Sequence, residues 1–277
     1  MWNKAPKPQP VSELGIATNW ATDIPNRYTF YSKLKTIAII PARLASTRLP
    51  RKILREIAGR PMLAHVYEAA KRCPQLTDVI VATDSDEIAE VCKKNGWKAQ
   101  LTSPQHHSGT ERVHEVAQSV EADVYINIQG DEPLARAEHI AVLVKLMSDP
   151  AIEVGTIKTP CPHEDINNPS AVKVVTDLRG RALYFSRSSI PCDRDKTGQV
   201  RYFKHLGFYA YRKAALDLFC ALPESELERT ERLEQLRFLD NGIEIYVAET
   251  PFDTIGVDTE EDLHRAEKQL LAASSRL

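Results

Sequence analysis

The sequence predicts an α/β protein: a doubly wound, mostly parallel sheet with an inserted antiparallel β lobe. Three observations carry that expectation. Short apolar runs of strand length recur through the first half, each followed by a stretch whose apolar residues repeat at helical spacing. The links between them are short, as in a sheet wound by alternating strands and helices. In the second half the pattern changes to two strand-like runs across a turn, followed by a long alternating strand.

The elements follow in order. Thr36–Ile40 is an all-apolar strand ended by Pro41, and Arg60–Cys73 a helix placing Leu63, Val66, Ala70 and Cys73 on one face. Asp78–Ala82 is a buried strand. Thr83-Asp84-Ser85-Asp86-Glu87 then supplies N-cap chemistry for a helix ending near Gly96. Trp97–Thr102 reads as a strand, Thr110–Val120 as a helix, Val124–Ile128 as a strand and Ala137–Met147 as a helix. Ala171–Val175 and Arg181–Phe185 form a hairpin around Thr176–Gly180, and Phe203–Tyr211 is a long strand. Helices are expected around Ala214–Leu222 and Glu228–Leu239, then a strand at Ile243–Ala248 and a last helix, Thr259–Ala272, capped by Thr259. Residues 1–35 stand apart: they hold Trp2, Trp20, Pro6, Pro8, Pro10 and Pro25 without a sustained period. They read as an N-terminal extension, either extended or forming a small extra helix. Residues 36–277 read as one domain, with the lobe at about 171–212.

Composition narrows the function. Charged residues make up 27% and the net charge is −2, which gives no bulk electrostatic case for nucleic acid or an anionic membrane. No apolar run approaches the ~18 residues of a membrane span, and the first 35 residues lack a signal-peptide core. Five cysteines without a C-x-x-C pair argue against a disulfide framework or a zinc knuckle, and so for a reduced, cytoplasmic protein. The 11 glycines are scattered, no two closer than nine positions. That excludes every phosphate loop built on clustered glycines.

Four segments carry chemistry. Pro41-Ala42-Arg43-Leu44-Ala45-Ser46-Thr47-Arg48-Leu49-Pro50-Arg51-Lys52 follows a buried strand, at the strand end where α/β sheets bind ligands. Its four cations and two hydroxyls can neutralise a triphosphate with side chains in place of backbone amides. The alternative is a solvated basic turn. Gln129-Gly130-Asp131-Glu132-Pro133 puts a carboxylate at the end of another strand, beside a glycine that permits close approach, as suits Mg²⁺. Gly256-Val257-Asp258-Thr259 places a second carboxylate at a strand-to-helix junction, where helix capping is the competing role. His106-His107-Ser108-Gly109-Thr110-Glu111-Arg112 opens a helix. Its adjacent histidines cannot easily face one ion, so small residues that let backbone reach a base edge are the better reading.

At this point the chain resembles a known family. The blocks Pro41–Lys52, Gly59–Met62, Ala82–Asp84, His107–Arg112, Asn127–Pro133, Ala182–Arg187, Lys204–Tyr211, Leu233–Arg237 and Gly256–Leu263 are similar, in order, to the 3-deoxy-manno-octulosonate cytidylyltransferases (CMP-Kdo synthetases). The likeness spans about residues 36 to 270. It implies a Rossmann-like nucleotidyltransferase fold and transfer of CMP from CTP to the anomeric hydroxyl of Kdo, with Mg²⁺ as cofactor and a homodimer as the usual assembly. It assigns CTP contacts to Pro41, Ala42, Arg43, Ser46, Thr47, Arg48, Lys52, Ser108, Gly109, Thr110, Arg112, Gln129 and Gly130, and the metal to Asp131 and Asp258. Lys52, Arg43, Asp131 and Asp258 are the expected catalytic groups. The sugar acid falls to Arg187, His205, Tyr209, Glu231, Glu234 and Gln235, with Glu231 and Gln235 expected on one helical face. Arg187 suits a bidentate grip on the sugar's carboxylate. His205, Tyr209 and Tyr211 fit core positions of an alternating strand as well, and Glu234 a plain surface carboxylate. Arg51 departs from the family, which commonly has glycine there, and Arg60 replaces a common lysine. Two rival functions stand beside this one: a cytidylyltransferase for another keto sugar acid (8-amino-Kdo or sialic acid), and a catalytically silent nucleotide-binding regulator.

Overall fold

The computed structural model describes residues 34–46 and 48–274. Trp2 and Trp20, with nearly all of the expected N-terminal extension, lie outside the described residues, and so does Thr47 of the basic loop. The strands are β1 (Thr36–Ala42), β2 (Glu56–Ile57), β3 (Arg60–Pro61), β4 (Asp78–Thr83), β5 (Lys98–Leu101), β6 (Val124–Ile128), β7 (Val154–Pro160), β8 (Lys173–Thr176), β9 (Ala182–Ser186), β10 (Phe203–Tyr211) and β11 (Ile245–Glu249). The helices are α1 (Met62–Lys71), α2 (Asp86–Lys94), α3 (Gly109–Ser119), α4 (Ala137–Leu146), α5 (Lys213–Ala221), α6 (Glu226–Glu231), α7 (Leu236–Asp240) and α8 (Glu260–Ser274). No described helix is long and apolar enough to cross a membrane.

The main sheet runs β11-β7-β10-β6-β1-β4-β5. β1 is parallel to β4 and β6, β4 to β5, and β7 to β11, whereas β10 is antiparallel to both β6 and β7. The period-2 alternation of β1 divides its residues between two cores. Ala38, Ile40 and Ala42 pack with Leu63 and Val66 of α1 and Ile140 and Leu143 of α4. Ile37 and Ile39 face Val113 and Val116 of α3 and Leu216 and Phe219 of α5. Every residue of β1 is buried, as a central strand covered on both faces must be. The β8–β9 hairpin joins this sheet through Lys173, which pairs with Lys204 at the start of β10.

Three differences from the sequence reading have physical causes. Pro41 does not end β1 but lies inside it, opposite Ala82. Pairing of β1 with β6 stops at Ile39, so no ladder donor is asked of Pro41 on that side. β7 has no expected counterpart: Gly155, Thr156, Lys158 and Thr159 break any apolar run, yet β10 and β11 flank the strand and bury it. The helix expected over Glu228–Leu239 is two short helices, because Arg232 takes left-handed backbone angles (φ 55°, ψ 49°). Glu231 and Gln235 therefore do not share a helical face. The second helix is drawn back by Arg237, which grips the Glu228 carboxylate at 2.7 and 2.6 Å and stacks 4.1 Å over the Phe219 ring.

Candidate active site

The ends of β1 and β6 and the segment before α8 converge. After β1 the basic loop turns through Arg51, whose backbone is left-handed (φ 59°, ψ 28°), into a 3-10 turn at Lys52–Leu54. The glycine common in the family at this position would adopt those angles freely, whereas Arg51 holds them under strain. Its guanidinium pairs with Glu87. After β6, Gly130 lies so close to the strand that a Cβ there would stand 2.9 Å from the Pro41 carbonyl oxygen. This approach carries Asp131 into the space beside Lys52. The backbone N–H of Val257 donates to the Asp131 carbonyl at 2.9 Å, which brings the next residue, Asp258, to the same point.

There the buried Lys52 ammonium donates to Asp131 Oδ2 at 2.6 Å and to Asp258 Oδ1 at 2.9 Å, while Arg48 pairs with Asp258 Oδ2 at 2.9 Å. Burial by itself would lower the Lys52 pKa, but the two carboxylates outweigh it and raise it above the ordinary lysine value. Burial would likewise raise Asp258, and the Lys52 and Arg48 cations instead hold it below the usual carboxylate range.

Two cavities meet at this cluster. The smaller, about 240 Å³, opens on the basic loop and the mouth of α3. Of the expected nucleotide contacts it takes Pro41, Ala42, Arg43, Ser46, Arg48, Lys52, Ser108, Gly109, Arg112, Gln129 and Gly130. Ser108 caps α3 by accepting from the Glu111 N–H at 3.1 Å, and the buried Arg112 donates to Thr102 Oγ1 (2.7 Å), the Ser103 carbonyl (3.2 Å) and Asp84. The larger cavity, about 590 Å³, is walled by Thr110, Arg187, His205, Tyr209, Glu234 and Gln235 among others. Arg48, Gln129, Asp131, Glu234 and Asp258 line both.

The expected sugar contacts differ in their surroundings. Glu234 is an exposed carboxylate, but it opens on both cavities: it accepts from Thr110 Oγ1 at 3.0 Å, and desolvation by the protein around it raises its pKa. Gln235 Nε2 is buried in the cavity wall with no hydrogen-bond partner among the described residues. His205 lies 2.9 Å from Thr156 Oγ1 and edge-on to Phe185, and burial pushes its pKa down to about 3, so the ring is neutral. Burial holds the Tyr209 hydroxyl well above its ordinary value. Glu231 lines neither cavity: its carboxylate takes hydrogen bonds from Ser186 Oγ (2.6 Å) and the Arg187 N–H (2.9 Å). Arg187 in turn donates to the carbonyls of Glu231, Pro169 and Arg232, at 2.7, 2.9 and 3.2 Å. Beneath it the fully buried Lys173 donates to the carbonyls of Asn168, Ala171 and Arg187.

The sequence reading passed over one buried carboxylate of this wall. Glu132 follows Asp131 in the same turn and lines the larger cavity. Its Oε2 accepts from Thr254 Oγ1 at 2.7 Å. Burial, reinforced by the Asp131 charge, pushes its pKa up to about 7.

A fold of this topology, with a cation-lined cavity and two aspartates meeting there, one after β6 and one just before α8, is that of a nucleotidyltransferase. The family model for cytidylyltransferases matches residues 37–245, and the chain belongs to that family, in the branch of the 3-deoxy-manno-octulosonate cytidylyltransferases. A relative of that name from Koribacter versatilis is 70% identical over 237 residues, covering 86% of this chain and 90% of the relative. Another, from Acidobacterium capsulatum, is 56% identical over 240 residues, covering 87% of this chain and 98% of the relative. A solved structure of CMP:2-keto-3-deoxy-manno-octonic acid synthetase complexed with CTP superposes with a TM-score of 0.82 at 43% identity, covering 86% of this chain and 99% of that one.

Proposed function

We propose that this enzyme transfers CMP from CTP to the anomeric hydroxyl of Kdo, giving CMP-Kdo and pyrophosphate and so activating Kdo for lipopolysaccharide synthesis. The observation that carries the reading is the meeting of Lys52, Asp131 and Asp258 at the seam between the two cavities. CTP takes the smaller cavity and the sugar acid the larger, so the α-phosphorus lies at the seam. The anomeric oxygen attacks that phosphorus in line, the bond to the β-phosphate oxygen breaks, and the hydroxyl proton passes to solvent. Arg43, Arg48 and Lys52 offset the charge of the departing pyrophosphate. Positioning and charge neutralisation supply most of the rate, so no covalent intermediate is required.

The donor set fits Mg²⁺. Two carboxylates already converge on one cationic atom, the Lys52 ammonium, and both offer the hard oxygen ligands that Mg²⁺ prefers. No group of three or more His, Cys, Asp or Glu residues surrounds a metal position among the described residues, which leaves the remaining ligands to phosphate and water. Bound by Asp131 and Asp258, Mg²⁺ would neutralise phosphate charge and make the attacking hydroxyl more acidic.

A cytoplasmic location agrees with the five unpaired cysteines. A homodimer is the expected assembly. Among the described residues β9 is laddered to β8 alone and leaves Leu183 exposed, and sedimentation equilibrium tests the assembly. The function itself is tested by pyrophosphate release with CTP, Mg²⁺ and a panel of sugar acids. Release with Kdo supports the reading. Preference for 8-amino-Kdo or a sialic acid would reassign the acceptor, and no release with any acid would favour a binding role.

A further inference from the structure

Glu132 is an under-satisfied carboxylate on the wall of the larger cavity. An ionised carboxylate has about four acceptor sites, and Glu132 fills one of them, through Thr254 to Oε2. No described residue donates to Oε1. The Lys204 ammonium, whose charge is felt at Glu132, is committed to Asp253 (3.0 Å), Asp165 (3.5 Å) and the Thr254 carbonyl (3.0 Å). The residues flanking Oε1 keep space open over it. A Cβ on Gly256 would stand 3.2 Å from this oxygen and one on Gly207 3.8 Å away, and both positions are glycine. Oε1 is open to the cavity, so a group that enters the cavity can donate to it.

We propose that Glu132 binds the acceptor substrate, its Oε1 taking a hydrogen bond from a hydroxyl of the sugar acid. The proposal rests on the reading above that the larger cavity holds the acceptor. The donor class follows from charge: a carboxylate repels phosphate and the acid group, so the hydroxyls of the polyhydroxy chain are the groups it can receive. Glu132 lines the larger cavity and not the smaller, which sets it apart from the nucleotide contacts.

The test pairs E132A and E132Q with Kdo and a series of its monodeoxy analogues. E132A should raise the KM for Kdo about 10- to 100-fold, as loss of a hydrogen bond to a charged group does, while CTP affinity by calorimetry stays unchanged. One deoxy analogue should show a similar penalty with the unsubstituted enzyme and none with E132A. E132Q, which retains an acceptor, should lie between, and it carries the test if E132A does not fold. The proposal is overturned if the KM for Kdo is unchanged, or if every deoxy penalty persists in the variants. It is also overturned if CTP affinity falls in parallel, since Glu132 would then act only through Thr254 on the Asp258 segment. Failure of the unsubstituted enzyme to use Kdo would instead overturn the assignment of the acceptor.

Discussion

Lys52 reaches Asp131 and Asp258 across 79 and 206 positions of sequence, and the chemistry proposed here depends on those two contacts. D131N keeps the shape of the side chain and removes its charge. It should lower kcat by about two orders of magnitude or more with the fold intact by circular dichroism, and it should weaken Mn²⁺ binding measured by electron paramagnetic resonance. Near-normal turnover of the purified variant would sink the metal assignment. Arg51 allows a separate test. R51A keeps the left-handed strain and loses the Glu87 pair, whereas R51G loses the pair and the strain together. R51G should therefore be the more stable of the two by about 1 kcal/mol in urea denaturation. Of the single residues, Asp131, Asp258 and the basic loop were legible because strand-end position and residue type announce them. Glu132 was not: it lies one place along from Asp131, and only the packing of Gly207, Thr254 and Gly256 around it shows which oxygen faces the cavity.

At the scale of elements, the break between α6 and α7 shapes the wall of the larger cavity. It turns the Glu231 and Arg232 carbonyls toward Arg187 and leaves Glu234 and Gln235 facing the cavity. The buried Arg237–Glu228 pair holds the two helices together. Removing one partner strands the other charge, so R237A should cost about 3–5 kcal/mol of stability. In whatever fraction stays folded it should raise the KM for the sugar acid more than that for CTP, as steady-state kinetics can show. R237K should rescue stability only in part, because an ammonium cannot make the two-pronged grip. From sequence alone, helical periodicity runs unbroken through Arg232. A left-handed turn at a residue other than glycine leaves no mark in composition. β7 escaped for a related reason: its burial comes from its neighbours in the sheet and not from its own apolar content.

For the whole molecule, pH joins the cavity wall to stability. His205 is held neutral, with its pKa pushed down to about 3 from 6.5 by burial. As pH falls below 6.5, the unfolded chain takes up a proton that the folded chain refuses. The His205 contribution to stability should then drop by about 1.4 kcal/mol per pH unit until the folded value is reached. Down to pH 4.5 Glu132 offsets that drop, because with its pKa raised to about 7 it takes up a proton in the folded state first. Asp258, depressed below 3.8, adds to the loss only as pH falls through its own folded value. At the alkaline end Lys52, raised above 10.5, contributes stability that is lost as pH rises through its folded value. H205Q should abolish the His205 contribution between pH 6.5 and 3 in denaturation series run at fixed pH values, and an unaltered profile would remove His205 as the source of the loss. The sequence by itself determined the fold class, most element positions and the order of the ligand-bearing blocks. Hydrophobic periodicity and strand-end chemistry are local properties, and a linear chain displays them. Only the tertiary structure decided that Glu231 stands behind the wall, that Glu234 lies between the two cavities and that Glu132 faces the larger one. Those outcomes depend on burial and on contacts between distant segments, which exist only once the sheet has closed on its helices.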